Sequence, residues 1–357
     1  MELSQVDKNM IASDAVGEVP MTRYDIPDPR FALYGVRFDA EDGFYRMPEA
    51  DAAKVSEKVC SLRRNTSGGR LRFRTDATVM ELTVSWNRKK NLTHMAPSGV
   101  CGFTLMEVTE NGYRYAALFR MAPGSGEQGF TCRKELPGGK MREYILYFPL
   151  YNNVKALSIS FDEGAAVERG AEYSEKLPMV FYGSSITQGA CASSPNGPYM
   201  AYLSEWNDLD YLNFGFSGSA KGEPAMAEYL AKIPARIFIM DYDHNATTVE
   251  HLEKTHEPFF RIYRAANPTT PILLASSVNY WKNPEHYAKK RAVILQTYRN
   301  AVAAGDRNVW FLDGATMYSA EEMHHCTSDN LHPNDHGFYL MAKAMQPVIR
   351  EILKSTV

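Results

Sequence analysis

The chain has 357 residues, 45% of them hydrophobic and 23% charged, with a formal charge of −3. The length suggests two domains of ordinary globular composition. A pI of about 6.3 leaves no basic footprint for nucleic acid or an anionic membrane, and no stretch approaches the ~20 apolar residues of a membrane span.

The first residues, Met1-Glu2-Leu3-Ser4-Gln5-Val6-Asp7-Lys8, are polar and lack the apolar core of a secretion signal, so residues 1–23 read as an N-terminal extension. Five cysteines (Cys60, Cys101, Cys132, Cys191, Cys326) are scattered and odd in number, which favours free thiols in a reducing compartment. The expectation is a cytoplasmic protein, with a secreted or periplasmic one, its leader removed, as the alternative.

From residue 24 to about residue 165 the period is that of strands. Met80, Leu82, Val84 and Trp86 alternate with Val79, Glu81, Thr83 and Ser85. Asn111-Gly112 separates the runs Phe103–Val108 and Tyr113–Phe119, a hairpin signal because both positions tolerate positive φ. Pro137-Gly138-Gly139 is a further turn before Tyr144–Phe148, and Leu157, Ile159 and Phe161 alternate again. No helix is evident, and the pattern predicts an antiparallel β-sandwich. The segment Asp162–Leu177, rich in Glu, Ala and Gly, reads as a linker.

Over residues 176–357 the pattern becomes strand, helix, strand, helix. Predicted strands are Met179–Tyr182, Tyr211–Phe214, Arg236–Asp241, Pro271–Ala275 and Asn308–Leu312, with helices over Glu223–Ile233, Val249–Ala266 and Glu285–Val302 between them. Phe338, Met341, Met345, Val348 and Ile352 space a final amphipathic helix. Five apolar strands alternating with helices predict a parallel sheet covered on both faces, an α/β/α domain.

In such a sheet, sites form beyond the carboxyl ends of the strands. Gly183-Ser184-Ser185 follows the first predicted strand, Gly215-Phe216-Ser217-Gly218 the second, and Asp243-His244-Asn245 the third; Asp329-Asn330-Leu331-His332 precedes the last helix. A serine at a strand-to-helix turn exposes its hydroxyl at a helix N-terminus. An Asp three residues before a His can hold its Nδ1–H and leave Nε2 to take a serine proton. Taken singly, Ser185 and Asn245 would be helix caps, Gly218 a turn glycine and Asp329 a loop carboxylate. A zinc reading of His324, His325, Cys326, Asp329, His332 and His336 would leave the serine turn unexplained, so no metal is expected. Gly124-Ser125-Gly126-Glu127-Gln128-Gly129 has the letters of a dinucleotide fingerprint but no following helix, and reads as a loop.

These blocks, in this order, resemble the SGNH (GDSL-type) hydrolase superfamily. The sandwich-first arrangement is similar to a two-domain carbohydrate-esterase-like subfamily whose sandwich carries Gly-x-Asp-Leu-Tyr, here Gly102-Phe103-Thr104-Leu105-Met106. The resemblance implies a jelly-roll-like sandwich followed by a flavodoxin-like catalytic domain. It implies Ser185 as nucleophile, Asp329 and His332 completing the triad, and an oxyanion hole of the Ser185 N–H, the Gly218 N–H and the Asn245 side chain. Ser184 stands where the family has Asp, and Asp243-His244-Asn245-Ala246 where it has Gly-x-Asn-Asp. The expected activity is cleavage of short-chain, chiefly acetyl, esters of a carbohydrate, without a cofactor. Acyl transfer to a sugar or small-molecule alcohol and a non-catalytic carbohydrate-binding protein are the alternatives. Tyr182, Tyr199 and Trp281 are candidate substrate contacts. The sequence leaves the oligomeric state open.

Overall fold

A computed structural model describes residues 19–122 and 124–355; most of the expected N-terminal extension lies outside the described residues. The sandwich opens with the strand Met21–Ile26, three residues before residue 24. One sheet pairs Met21–Ile26, Ala156–Asp162, Val79–Ser85 and Gly129–Glu135; the other is built on Val167–Arg169, Arg70–Thr75, Arg142–Tyr147, Phe103–Thr109 and Gly112–Phe119. The inward faces meet through aromatic rings, with Phe161 of one sheet 5.7 Å from Phe73 of the other.

Three expectations for this half are corrected. The hairpin turns at Glu110-Asn111, because Gly112 already pairs with Thr109; there only Gly112 takes a positive φ, 103°. The expected linker carries the strand Val167–Arg169, which pairs with Arg70–Thr75 and so belongs to the sandwich. Helices also occur, at Glu49–Val55, Glu57–Leu62 and Pro97–Cys101. The first two are short and separated at Ser56, whose backbone is extended and whose hydroxyl caps the second, so neither carries enough turns to show a helical period.

The second half is a five-stranded parallel sheet in the order Tyr211–Gly215, Met179–Gly183, Ile237–Asp241, Ile272–Ala275, Val309–Leu312. The chain starts beside the centre and reverses direction across the sheet, the flavodoxin-like order that opens a crevice at the carboxyl ends of the first and third strands. Period-two alternation sorts the side chains onto two faces. Val180, Tyr182, Phe238, Met240 and Leu274 pack with Leu230, Phe259, Tyr263 and Ile294 of the helices Pro224–Leu230, Val249–Ala266 and Pro284–Ala303. Met179, Phe181, Ile237, Ile239 and Leu273 pack with Met200, Leu203, Phe338, Met341 and Ile349 of the helices Tyr199–Asn207 and Asp335–Ser355.

The cores of the two domains run together. Met47, just ahead of the first sandwich helix, and Ala52 and Val59 of the two helices join the first of these faces, and the interior of the sandwich is continuous with the second. No helix among the described residues is long and apolar enough to cross a membrane.

His256 sits on the inner side of the helix Val249–Ala266, 2% exposed, bonded through Nδ1 to Thr297 Oγ1 at 2.8 Å and stacked on Tyr242. Burial disfavours its charged form and pushes its pKa down to about 4. The unfolded chain takes up this proton near pH 6.5 and the native state only near 4. The stability tied to the neutral ring is therefore present above about pH 6.5 and lost as pH falls towards 4, by roughly 3 kcal/mol at most. Urea unfolding at several pH values should show the stability difference between wild type and His256→Gln shrinking across that window; a difference that stays flat would refute the assignment.

Candidate active site

Gly183 ends the central strand Met179–Gly183, and a Cβ there would meet Thr187 Oγ1 at 1.9 Å and Asp241 O at 2.4 Å. That closeness requires glycine and lets the chain turn at once into the helix Ser185–Gln188. Ser184 is the N-cap, its hydroxyl accepting from Ile186 N at 3.1 Å. Serine at the family's Asp position thus caps the helix. Gly189, at φ 97°, ends it after one turn.

Ser185 opens that helix, half-buried. Its Oγ lies 2.9 Å from His332 Nε2. His332 Nδ1 lies 2.7 Å from Asp329 Oδ2, while Asp329 Oδ1 accepts the backbone N–H groups of His332 (2.7 Å) and Leu331 (3.1 Å). One carboxylate therefore folds its own loop and orients the ring. Burial raises the Asp329 carboxyl, but the His332 and Leu331 donors outweigh it and hold it below the ordinary carboxylate range. The loop is closed by Ser328 N to His332 O at 3.0 Å and tied to the loop after the strand Ile272–Ala275 by Asn279 Nδ2 to Leu331 O at 2.5 Å.

Gly218 lies in the loop after Tyr211–Gly215, at φ 66°. Among the described residues neither its N–H nor that of Ser185 has a protein acceptor. Asn245 ends the single turn Asp243–Asn245 and donates through Nδ2 to Phe216 O at 3.1 Å. Its amide is thereby fixed against the Gly218 loop. The second and third blocks of the sequence are joined by this bond.

Two of the three expected substrate contacts are corrected. Tyr182 is fully buried and stacked on Phe259 at 4.8 Å. Tyr199 is fully buried, with its OH on Asp241 Oδ2 at 2.9 Å. An aromatic directed into a sheet-helix core leaves no face for a ligand. Trp281 is half-buried in the turn Tyr280–Lys282, two residues after Asn279. The side chains of the run His324–His336 find other partners: Cys326 is buried and donates to Glu322 O, and His336 pairs loosely with Glu322 at 3.6 Å.

Sequence reasoning missed the contribution of the sandwich. Tyr151 donates through its OH to Ser185 O at 3.3 Å. Ser67 Oγ donates to Gln188 O at 2.7 Å, and Asn65 Oδ1 accepts Gln188 Nε2 at 3.1 Å; Gln188 Oε1 in turn accepts Ser217 N at 3.0 Å. Arg46, 4% exposed, donates through Nη1 to Asn213 O (2.9 Å) and Gly215 O (2.7 Å) and through Nη2 to Leu62 O (3.0 Å), with its guanidinium 4.8 Å over the Phe216 ring. No signal in a single sequence links positions so far apart.

Beneath the rim, Asp241 accepts Tyr199 OH and, at 3.3 Å, Thr187 Oγ1. Burial and the neighbouring Asp243 push its pKa up to about 8. Asp243 Oδ2 accepts Ser277 N and Oγ at 3.0 and 2.5 Å, which anchors the turn that holds Asn245. Burial pushes His244 down to about 4, so this ring beside Asn245 is neutral at pH 7.

A serine, a histidine and an aspartate thus meet at the carboxyl ends of the sheet strands, an arrangement of the kind serine hydrolases use. Residues 176–350 match the family model of the GDSL-like lipase/acylhydrolase family, and residues 23–167 match that of the N-terminus of the SGNH hydrolase-type esterases. The chain belongs to this family, in its two-domain form, and the protein is a carboxylic ester hydrolase. Among solved structures it is similar to a candidate GDSL-like lipase from Bacteroides ovatus ATCC 8483, at 26% identity and TM-score 0.84, covering 94% of this chain and 98% of that one. The salicylyl-acyltransferase SsfX3 of a tetracycline biosynthetic pathway aligns at 20% identity and TM-score 0.76, over 93% and 97%. A family two carbohydrate esterase from Cellvibrio japonicus aligns at 11% and 0.60, over 94% and 99%. No curated protein matches the chain.

The Arg46 guanidinium serves several carbonyls at once with a planar fork that lysine lacks. Arg46→Lys is expected to lower stability by about 3 kcal/mol, because buried carbonyls lose their donors. Urea unfolding measures this, and an Arg46→Lys protein as stable as wild type would rule the clamp out.

Proposed function

We propose that Ser185 is the nucleophile of a short-chain esterase, with His332 as its base and Asp329 as the orienting acid. The observation that carries this is the continuous line from Ser185 Oγ to His332 Nε2 (2.9 Å) and from His332 Nδ1 to Asp329 Oδ2 (2.7 Å). In the reaction His332 takes the Ser185 proton as Oγ attacks the ester carbonyl. The oxyanion is held by the Ser185 N–H, the Gly218 N–H and the Asn245 amide. His332 returns the proton to the departing alcohol, and water then repeats the sequence on the acyl-enzyme.

The substrate reading is an acetyl ester of a carbohydrate. Its support is the resemblance to carbohydrate esterases, one of them an acetyl xylan esterase from Butyrivibrio proteoclasticus matched over 94% of this chain at TM-score 0.59. Acyl transfer to an alcohol is the second reading, because the acyltransferase SsfX3 shares the two-domain fold at the higher TM-score of 0.76. Adding a sugar alcohol to an assay with a chromogenic acetate separates them: hydrolysis yields acetate alone, transfer an acetylated sugar.

Ser185→Ala should lower kcat by several orders of magnitude while leaving the fold intact, and a serine-directed phosphonate should label wild type but not this variant. Retention of more than about a tenth of wild-type kcat would remove Ser185 from the role. Asp329→Asn should also lower kcat strongly, because the ring loses both its orientation and the stabilisation of its cation.

Asn245→Ala should lower kcat by ~10²-fold with KM little changed, since its bond forms chiefly in the transition state. An effect confined to KM would mean that Asn245 only holds the Phe216 carbonyl or the substrate.

A further inference from the structure

The exposed side of His332 faces two residues that the mechanism does not use. The His94 ring, from the sandwich loop ahead of the helix Pro97–Cys101, lies 5.7 Å from the His332 ring between centroids. Cys191, just past the nucleophile helix, is buried and donates through Sγ to His94 O at 3.2 Å. It is held at φ 71°, a left-handed conformation uncommon for a residue with a side chain. One ligand atom from each of His94, Cys191 and His332 lies within 4.8 Å of the other two, and this is the one such group of three found among the described residues.

Two imidazoles and a thiolate form the donor set of a soft or borderline divalent cation, zinc above all. Tetrahedral zinc places such ligands about 3.5 Å apart, so closure requires a movement of about an ångström. Exposed His94 is free to turn. With no carboxylate in the trio, hard cations such as magnesium and calcium have little to bind there.

We propose that His94, Cys191 and His332 form an inhibitory site for a divalent cation of the zinc class, built from both domains and closing on the catalytic base itself. On binding, the Cys191 thiol proton passes to solvent, three protein bonds form to the metal, and water fills the fourth position. A metal on Nε2 takes His332 away from Ser185; a metal on Nδ1 takes it away from Asp329. Either way the base is lost. The inhibition rests on the role given to His332 above, whereas the binding does not.

The test uses the full-length protein in chelator-treated buffer, with two readouts. The first is hydrolysis of a chromogenic acetate against added Zn²⁺, for wild type, His94→Ala and Cys191→Ser, each normalised to its own zinc-free rate. The half-inhibitory concentration should rise at least ~10-fold in each variant, as expected for loss of one ligand worth at least 1.4 kcal/mol. Activity should return on adding a chelator, and Mg²⁺ should have no effect. The second readout is the thiolate-to-metal absorption band on adding Co²⁺, expected at one equivalent in wild type and in Ser185→Ala, and absent in Cys191→Ser. No band, or zinc inhibition equally strong in both ligand variants, overturns the site. A one-equivalent band in wild type with hydrolysis untouched by zinc overturns the inhibition, and with it the role of His332 as base.

Discussion

A buried guanidinium, paired with no carboxylate among the described residues, joins the two halves of this protein where the Gly218 loop leaves the sheet. Arg46 comes from the sandwich, yet its donors end on Asn213 and Gly215 of the catalytic sheet and on Leu62. Burial pushes its pKa down to about 9, the cost of a cation removed from water and compensated only by carbonyl dipoles and the Phe216 ring. The cost is matched by position. Asn213, 1% exposed, donates on to Thr187 O at 2.8 Å and Ser67 Oγ at 3.0 Å and accepts from Gly215 N at 2.8 Å. Gln188 then binds Asn65, Leu150 and Ser217. One polar seam thus runs from the sandwich through the helix of the proposed nucleophile to the loop of the proposed oxyanion donor.

This seam changes what the sandwich is for. In sequence it reads only as a separate β-sandwich; in space it supplies donors and acceptors to the helix Ser185–Gln188, which at four residues is too short to be stable alone. A second anchor repeats the arrangement at the other end of the interface. Arg70, fully buried on a sandwich strand, pairs with Asp210 and lies 3.7 Å over the Tyr211 ring at the start of the edge strand. Both ends of Tyr211–Gly215 are therefore held by arginines of the other domain, which places Gly218 relative to Ser185 without a long rigid loop.

The site itself combines rigidity below with access above. Its floor is buried and cross-bonded through Asp241, Asp243, Tyr199 and Ser277, while Ser185 and His332 stay half-buried and Asp329 partly open to solvent. Pre-organised donors around an open serine suit attack on a small acyl group carried by a larger alcohol, the substrate class proposed above.

The five strands of the catalytic half and its long helices could be read directly from the chain, because buried parallel strands are continuous apolar runs and long helices keep one period over many residues; Val249–Ala266 even ends where its pattern does, whereas the nine-residue helix Tyr199–Asn207 was not among those predicted. Ser185, Gly218, Asn245, Asp329 and His332 could be singled out as candidates for a related reason: each follows a strand or sits within a few residues of its partner, so local spacing carries the geometry. Hydrophobic period does not carry direction beyond the sheet, so Tyr182 and Tyr199 gave no sign that they face the core. The short helices at Glu49–Val55 and Glu57–Leu62 exist because Met47, Ala52 and Val59 find a surface on the catalytic domain, a tertiary stabilisation that local propensity cannot register. The sequence by itself determined a sandwich followed by a flavodoxin-like hydrolase domain, and the candidate residues along its rim. Only the tertiary structure decided that Arg46, Ser67, Tyr151 and His94 reach that rim, because buried polar groups must find partners wherever the packed chain brings them.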